Sequence, residues 1–183
     1  MRKLEPIVSA LAAAEARFSR AADAIPARTW HERPLLGCWS AAELVAHLCD
    51  VEGGVRGYAA RLIRKTPLPV PFHKRLHLPL ALVRSRLIKR RVPAIVTPST
   101  ELSDKETMLA GLRSVRERTL AFLEETRHRD LSAYGWRHPF LGRLDLYGWF
   151  QFIAAHEVRH SKQMWEIGQN LRKGVASSRS QEV

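Results

Sequence analysis

Apolar residues recur at spacings of three and four along four long stretches of the chain, the period of an amphipathic helix. The first stretch runs from about Leu4 to Ala24, with Ile7, Leu11, Ala14 and Phe18 on one face, and Pro26 ends it. The second opens at Ser40-Ala-Ala-Glu43, a capping box behind Trp39, and carries Leu44, Leu48, Val51, Val55, Tyr58 and Leu62. Pro67, Pro69 and Pro71 stop it. A second capping box, Ser103-x-x-Glu106, predicts a third helix through Met108, Leu112, Val115, Leu120 and Leu123 to about Thr126. The fourth starts at Asp145, a suitable N-cap, and reaches about Asn170, with Trp149, Phe152, Ile153, His156, His160, Met164 and Ile167 in its stripe.

No stretch shows the alternation of a strand, and His138-Pro139-Phe140-Leu141-Gly142 reads as a turn. Between the second and third helices lie the residues Thr66 to Thr100, long for a helix–helix connection, with room for a short helix over Leu78–Arg91. The pattern predicts an all-α protein: a four-helix bundle with a long crossover between helices 2 and 3. Residues 1–175 form one domain in this reading, residues 66–100 being its crossover, and residues 176–183 form a disordered polar tail.

Composition narrows the class. The chain has 183 residues, 45% of them hydrophobic, which suits one globular domain. No apolar run approaches the ~20 residues of a membrane span, and no signal-type segment opens the chain, so a cytoplasmic protein is expected. Cys38 and Cys49 match neither a disulfide framework nor a zinc motif, and Cys49 reads as a small buried hydrophobe.

The net charge of +12 is concentrated: residues 53–100 contain eleven Lys and Arg and no Asp or Glu. Such a segment attracts anions, whether small carboxylates and phosphates, lipid headgroups or nucleic acid. Stacking aromatics are scarce there and no helix-turn-helix or zinc-finger pattern is present. Nucleic acid is therefore not an expected partner, and peripheral contact with an anionic membrane is the lesser reading. Arg84, Arg86 and Arg90 are the candidate residues for holding an anionic cofactor, with Arg56, Lys89 and Arg91 beside them.

Histidine carries the chemistry. His156 and His160 lie one turn apart on the inward stripe of the fourth helix, and His47 lies on the inward stripe of the second. Three neutral imidazoles in one core have few partners of their own, and a divalent cation takes one nitrogen from each. Zinc, nickel, iron and manganese all accept such a set. Three protein ligands leave a coordination position open, as catalytic sites do, for an activated water or for a thiolate or carboxylate substrate. Glu157 and Gln163 are the candidate catalytic neighbours; a helical step of about 100° sends Glu157 partly away from His156, where an ion pair would suit it. Glu52, five residues beyond His47, is marginally close. Tyr58 and Trp149 read as core. His31, His73, His77, His128 and His138 fall in loops or the basic segment.

His156-Glu157-Val158-Arg159-His160 also fits the H-E-x-x-H template of zinc proteases. A protease of that kind needs a third ligand downstream, and the remaining 23 residues contain no histidine or other good candidate.

Two strings together resemble the DinB/YfiT-like superfamily. Trp39-Ser40-Ala41-Ala42-Glu43-Leu44-Val45-Ala46-His47-Leu48-Cys49-Asp50-Val51-Glu52 is similar to that family's second-helix signature. His138-Pro139-Phe140-Leu141-Gly142-Arg143-Leu144, followed by Phe152-Ile153-Ala154-Ala155-His156-Glu157-Val158-Arg159-His160-Ser161-Lys162-Gln163, is similar to its fourth-helix signature. The resemblance implies a crossover four-helix bundle, often a homodimer, with a divalent metal on His47, His156 and His160. It implies a small-molecule substrate and metal-dependent transfer chemistry using a low-molecular-weight thiol such as bacillithiol or mycothiol. The alternatives are a hydrolase that uses metal-bound hydroxide and a non-catalytic metal-binding stress-response bundle. The crossover is more basic here than the family pattern requires.

Overall fold

The computed structural model describes residues 4–67, Val83 and residues 103–179, with side chains as far as Lys173. Its order is α1 (Glu5–Asp23), α2 (Ala41–Leu62), α3 (Lys105–Glu125), a hairpin of β1 (Gly135–His138) and β2 (Gly142–Asp145), and α4 (Leu146–Arg179). One-turn 3₁₀ segments, Ala27–Thr29 and Leu131–Ala133, lie after α1 and before β1. Among the described residues, four long helices with the long connection between α2 and α3 are the architecture the periodicity predicts.

The helix ends follow local chemistry. The capping box of α2 is complete: the Glu43 N–H donates to Ser40 Oγ at 3.2 Å, and the Ser40 N–H to Glu43 Oε2 at 2.8 Å. Arg33 holds the Glu43 carboxylate from outside. The cap of α3 differs from expectation. Asp104, not Ser103, is the N-cap, its Oδ1 accepting from the Thr107 N–H at 3.0 Å. A carboxylate there also meets the positive end of the helix dipole. Asp145 caps α4 as expected, accepting from the Gly148 N–H at 2.7 Å. That helix runs nine residues past the expected Asn170, since neither a proline nor a left-handed glycine stops it.

The strands were not visible in the pattern. Four residues per strand are too few for an alternation to register, and only the turn between them showed. The pairing is antiparallel, from Gly135 opposite Asp145 to His138 opposite Gly142. Gly142 has φ +90°, and at Gly135 a Cβ would run into the Leu144 carbonyl, so both positions need glycine.

Packing is tightest between α1 and α4 and between α2 and α3. One apolar cluster joins Ile7, Leu11, Val55, Phe122, Phe150 and Ile153 with the hairpin's Leu141 and Leu144. A second joins Phe18, Trp30, Leu44, Leu112, Met164 and Ile167. On α4, His156 and His160 fall between Ile153 of the first cluster and Met164 of the second. Tyr58 departs from the core reading: it is 42% exposed and lays its ring against Trp136 of the hairpin, centroids 4.6 Å apart. Trp149 is buried as expected. Of the helix expected over Leu78–Arg91 only Val83 is described, and it is helical; the proposed anion-holding residues Arg84, Arg86, Lys89, Arg90 and Arg91 lie outside the described residues, as do His73 and His77. Among the described residues, no helix is long and apolar enough to cross a membrane.

Candidate metal centre

α2 and α4 bring three imidazoles to one point. His160 Nε2 lies 3.1 Å from His156 Nε2, and His47 Nε2 lies 3.4 Å from it. One nitrogen from each ring falls within 4.8 Å of the other two, a spacing that one metal ion can bridge. His47 and His160 are buried and His156 half-buried.

The protonation chemistry suits a cation. Burial pushes the His47 imidazole down to about 4 and holds His156 well below its ordinary value, with the neighbouring His160 and His47 adding to the effect. These two rings are therefore neutral at physiological pH, the state in which imidazole binds metal. Gln163 Oε1 accepts from His160 Nδ1–H at 2.9 Å. That fixes the proton on Nδ1 and turns the Nε2 lone pair toward the cluster. Trp39 sets its edge against His47 at 4.9 Å between centroids. His47 Nδ1 is buried with no partner among the described residues.

Behind this cluster lies a charged node that the periodicity did not reveal. Arg116 of α3 is 3% exposed. Its Nε and one terminal nitrogen donate to the two oxygens of Glu52, both at 2.9 Å, and the same terminal nitrogen donates to Glu157 at 2.8 Å. The other terminal nitrogen donates to the Leu11 carbonyl of α1 at 2.8 Å. One guanidinium thus links all four helices. The signal was present in the sequence: Arg116 stands four residues after Leu112 on the apolar stripe, where a charge needs a buried partner.

Glu157 accordingly points away from the imidazoles and onto Arg116, as its helical step suggested. Burial pushes its carboxyl up to about 7, opposed by Arg116 and reinforced by Glu52 and Glu15. It borders a small cavity with Leu48, Val51, Glu52, Ile153 and His156. Gln163 touches His160 directly.

Other candidates fall elsewhere. Cys49 is half-buried, and burial pushes its thiol up to about 11, which suits packing and not nucleophilic attack. Arg56 is half-buried, its Nε without a partner among the described residues. Arg61 lies over the Tyr58 ring. His138, expected in a turn, is the last residue of β1 before that turn and is buried between aromatic rings.

Known proteins resemble this chain in fold and in sequence. YfiT from Bacillus subtilis, described as a probable metal-dependent hydrolase with an unusual four-helix bundle topology, superposes with a TM-score of 0.58 at 15% identity, over 91% of this chain and 86% of YfiT. At that identity the likeness is one of fold. The uncharacterized protein YuaE from Bacillus subtilis (strain 168) is 25% identical over 143 residues, 78% of this chain and 85% of YuaE. The family model of the DinB superfamily matches residues 10–164, which include all three converging histidines, and the chain belongs to that superfamily.

Proposed function

We propose that His47, His156 and His160 hold a divalent metal and that the protein is a metal-dependent enzyme of thiol-transfer type. The observation that carries the metal reading is the convergence of three imidazole nitrogens, with His160 Nδ1 donating to Gln163 so that its Nε2 is left for ligation. A metal bound there supplies a Lewis acid with an open coordination position, able to lower the pKa of a thiol at that position. The chain's own residues do the rest. Gln163 fixes the ring of His160. The Arg116 node fixes the α4 backbone beside His156 and anchors Glu52 one turn and a half beyond His47.

Two features support thiol transfer over hydrolysis. Both carboxylates lining the cavity beside His156, Glu52 and Glu157, are engaged by Arg116, whereas hydrolysis profits from a free carboxylate base. The basic crossover offers positive charge suited to an anionic thiol, with Arg84, Arg86 and Arg90 as the proposed contacts. The description of YfiT as a metal-dependent hydrolase favours the second reading, hydrolysis at the same centre. The test is to load the purified protein with zinc, nickel, iron or manganese and follow thiol consumption with electrophilic substrates. Parallel assays measure ester and amide cleavage without thiol. Metal-dependent thiol consumption supports the first reading, and thiol-independent cleavage replaces it with the second.

A further inference from the structure

His138 is held in a way that the hairpin alone does not require. Its Nδ1 accepts two backbone N–H groups of the turn, from Phe140 at 3.1 Å and from Leu141 at 3.2 Å. A nitrogen that accepts two hydrogen bonds carries no proton, so the proton of the neutral ring sits on Nε2. The ring is only 8% exposed. Phe152 meets it edge-on with centroids 4.6 Å apart, Trp149 lies at 5.2 Å and Phe140 at 6.0 Å. Burial lowers its basicity, so it stays neutral. Nε2–H has no polar partner among the described residues and, unlike His47 Nδ1, is not sealed from solvent.

The position of this donor matters. The other side of the relationship is Phe152, whose ring also packs against His156, centroids 5.2 Å apart. The His138 and His156 ring centres are therefore no more than about 10 Å apart, with one aromatic ring joining them. That separation is within the span of a small molecule with one end at the three histidines and the other at His138.

We propose that His138 Nε2–H is a ligand-binding donor of the histidine centre. It receives the distal oxyanion of a two-headed small molecule whose thiol or other metal-seeking end sits at His47, His156 and His160. The inference rests on the metal-centre reading and on the anionic thiol named with it, and adds the residue that receives the oxyanion a few bonds from the sulfur. His138 is not a metal ligand in this arrangement.

Cobalt(II)-loaded protein, whose visible absorption changes when a thiolate joins the metal, provides a binding readout that needs no turnover. Wild-type protein is titrated with 3-mercaptopropionate and with ethanethiol, which lacks the carboxylate. The expected result is a preference of about 10- to 100-fold for the carboxylate-bearing thiol, the range of one hydrogen bond to a charged group. His138→Asn keeps an acceptor at the position of Nδ1 and loses the donor at Nε2. It should retain cobalt and ethanethiol binding and lose the preference. His138→Gln places a donor near the Nε2 position and loses the turn acceptor. It should retain most of the preference while melting at a lower temperature. A wild-type protein that binds both thiols equally overturns the proposal, as does His138→Asn with the preference intact. Failure of the wild type to take up cobalt overturns the metal centre itself, and this inference with it.

Discussion

His160 Nδ1 and Gln163 Oε1 lie 2.9 Å apart, three residues along the same helix turn. The amide oxygen decides which nitrogen of the ring faces the other histidines. Orienting partners of this kind are worth about 10- to 100-fold in metal affinity. Gln163→Ala should weaken zinc binding by about that factor in chelator competition, with little change in thermal stability of the metal-free protein. Gln163→Glu keeps an acceptor and should recover most of the affinity. Unchanged affinity in Gln163→Ala would show that the hydrogen bond does not serve the site.

The three histidines should act as a set. His47→Ala, His156→Ala and His160→Ala should each abolish or greatly reduce bound metal in folded protein, measured by elemental analysis. His138→Ala should retain it, because that ring is committed to the hairpin turn through Nδ1. Equal loss in His156→Ala and His138→Ala would mean that the ligand set is wrong.

Arg116 is the most consequential single side chain for stability. Its removal leaves Glu52 and Glu157 buried and unpaired, and breaking a buried pair in this way costs about 3–5 kcal/mol. Arg116→Met should lower the denaturant midpoint by an amount in that range. Replacing all three charges with apolar residues of similar volume should restore much of the loss, since the isolated carboxylates carry the penalty. A single Arg116→Met variant as stable as the wild type would refute this account.

Glu43 gives a pH dependence with a defined sign. Burial raises its carboxyl, but Arg33 and the Ser40 N–H outweigh that and hold it below its ordinary value of 4.5. The folded state then binds the proton less readily than the unfolded chain does. The stabilisation is present above about pH 4.5 and is lost as pH falls through the lower folded value. Glu43→Gln should therefore be the less stable protein near pH 7 and should lose less stability than wild type between pH 5 and 3, measured by thermal unfolding. Parallel curves for the two proteins would contradict it.

The ends of α3 test how far local sequence rules reach. Ser103-x-x-Glu106 and Asp104-x-x-Thr107 offer two competing starts one residue apart, and the structure uses the second. Asp104→Ala should cost about 1 kcal/mol and Ser103→Ala should be nearly neutral in chemical denaturation. The reverse order would restore the start read from the sequence.

Helical period, capping residues and proline stops were enough to expect four helices, and the i,i+4 histidine pair with an inward His47 was enough to expect convergence. Those signals are local or repeat along a stripe. The Arg116 node was harder to read, because its partners lie 64 and 41 residues away and only the tertiary fold chooses them. The hairpin escaped because its register depends on a backbone approach at Gly135 that no short pattern encodes. Tyr58 kept the helical stripe but met an edge of the bundle where the hairpin, not the core, was its neighbour.

His47 and His156 are separated by 109 residues of chain. In the unfolded polypeptide the two imidazoles are independent, and only the pair on α4 keeps a short separation. The full ligand set comes into being when α2 docks on α4, so a metal that needs all three nitrogens selects the folded molecule. Each tenfold excess of free metal over its dissociation constant then adds about 1.4 kcal/mol to folding. The lifetime of this protein in a cell would rise and fall with metal supply, and scarcity would be registered first as clearance of the chain.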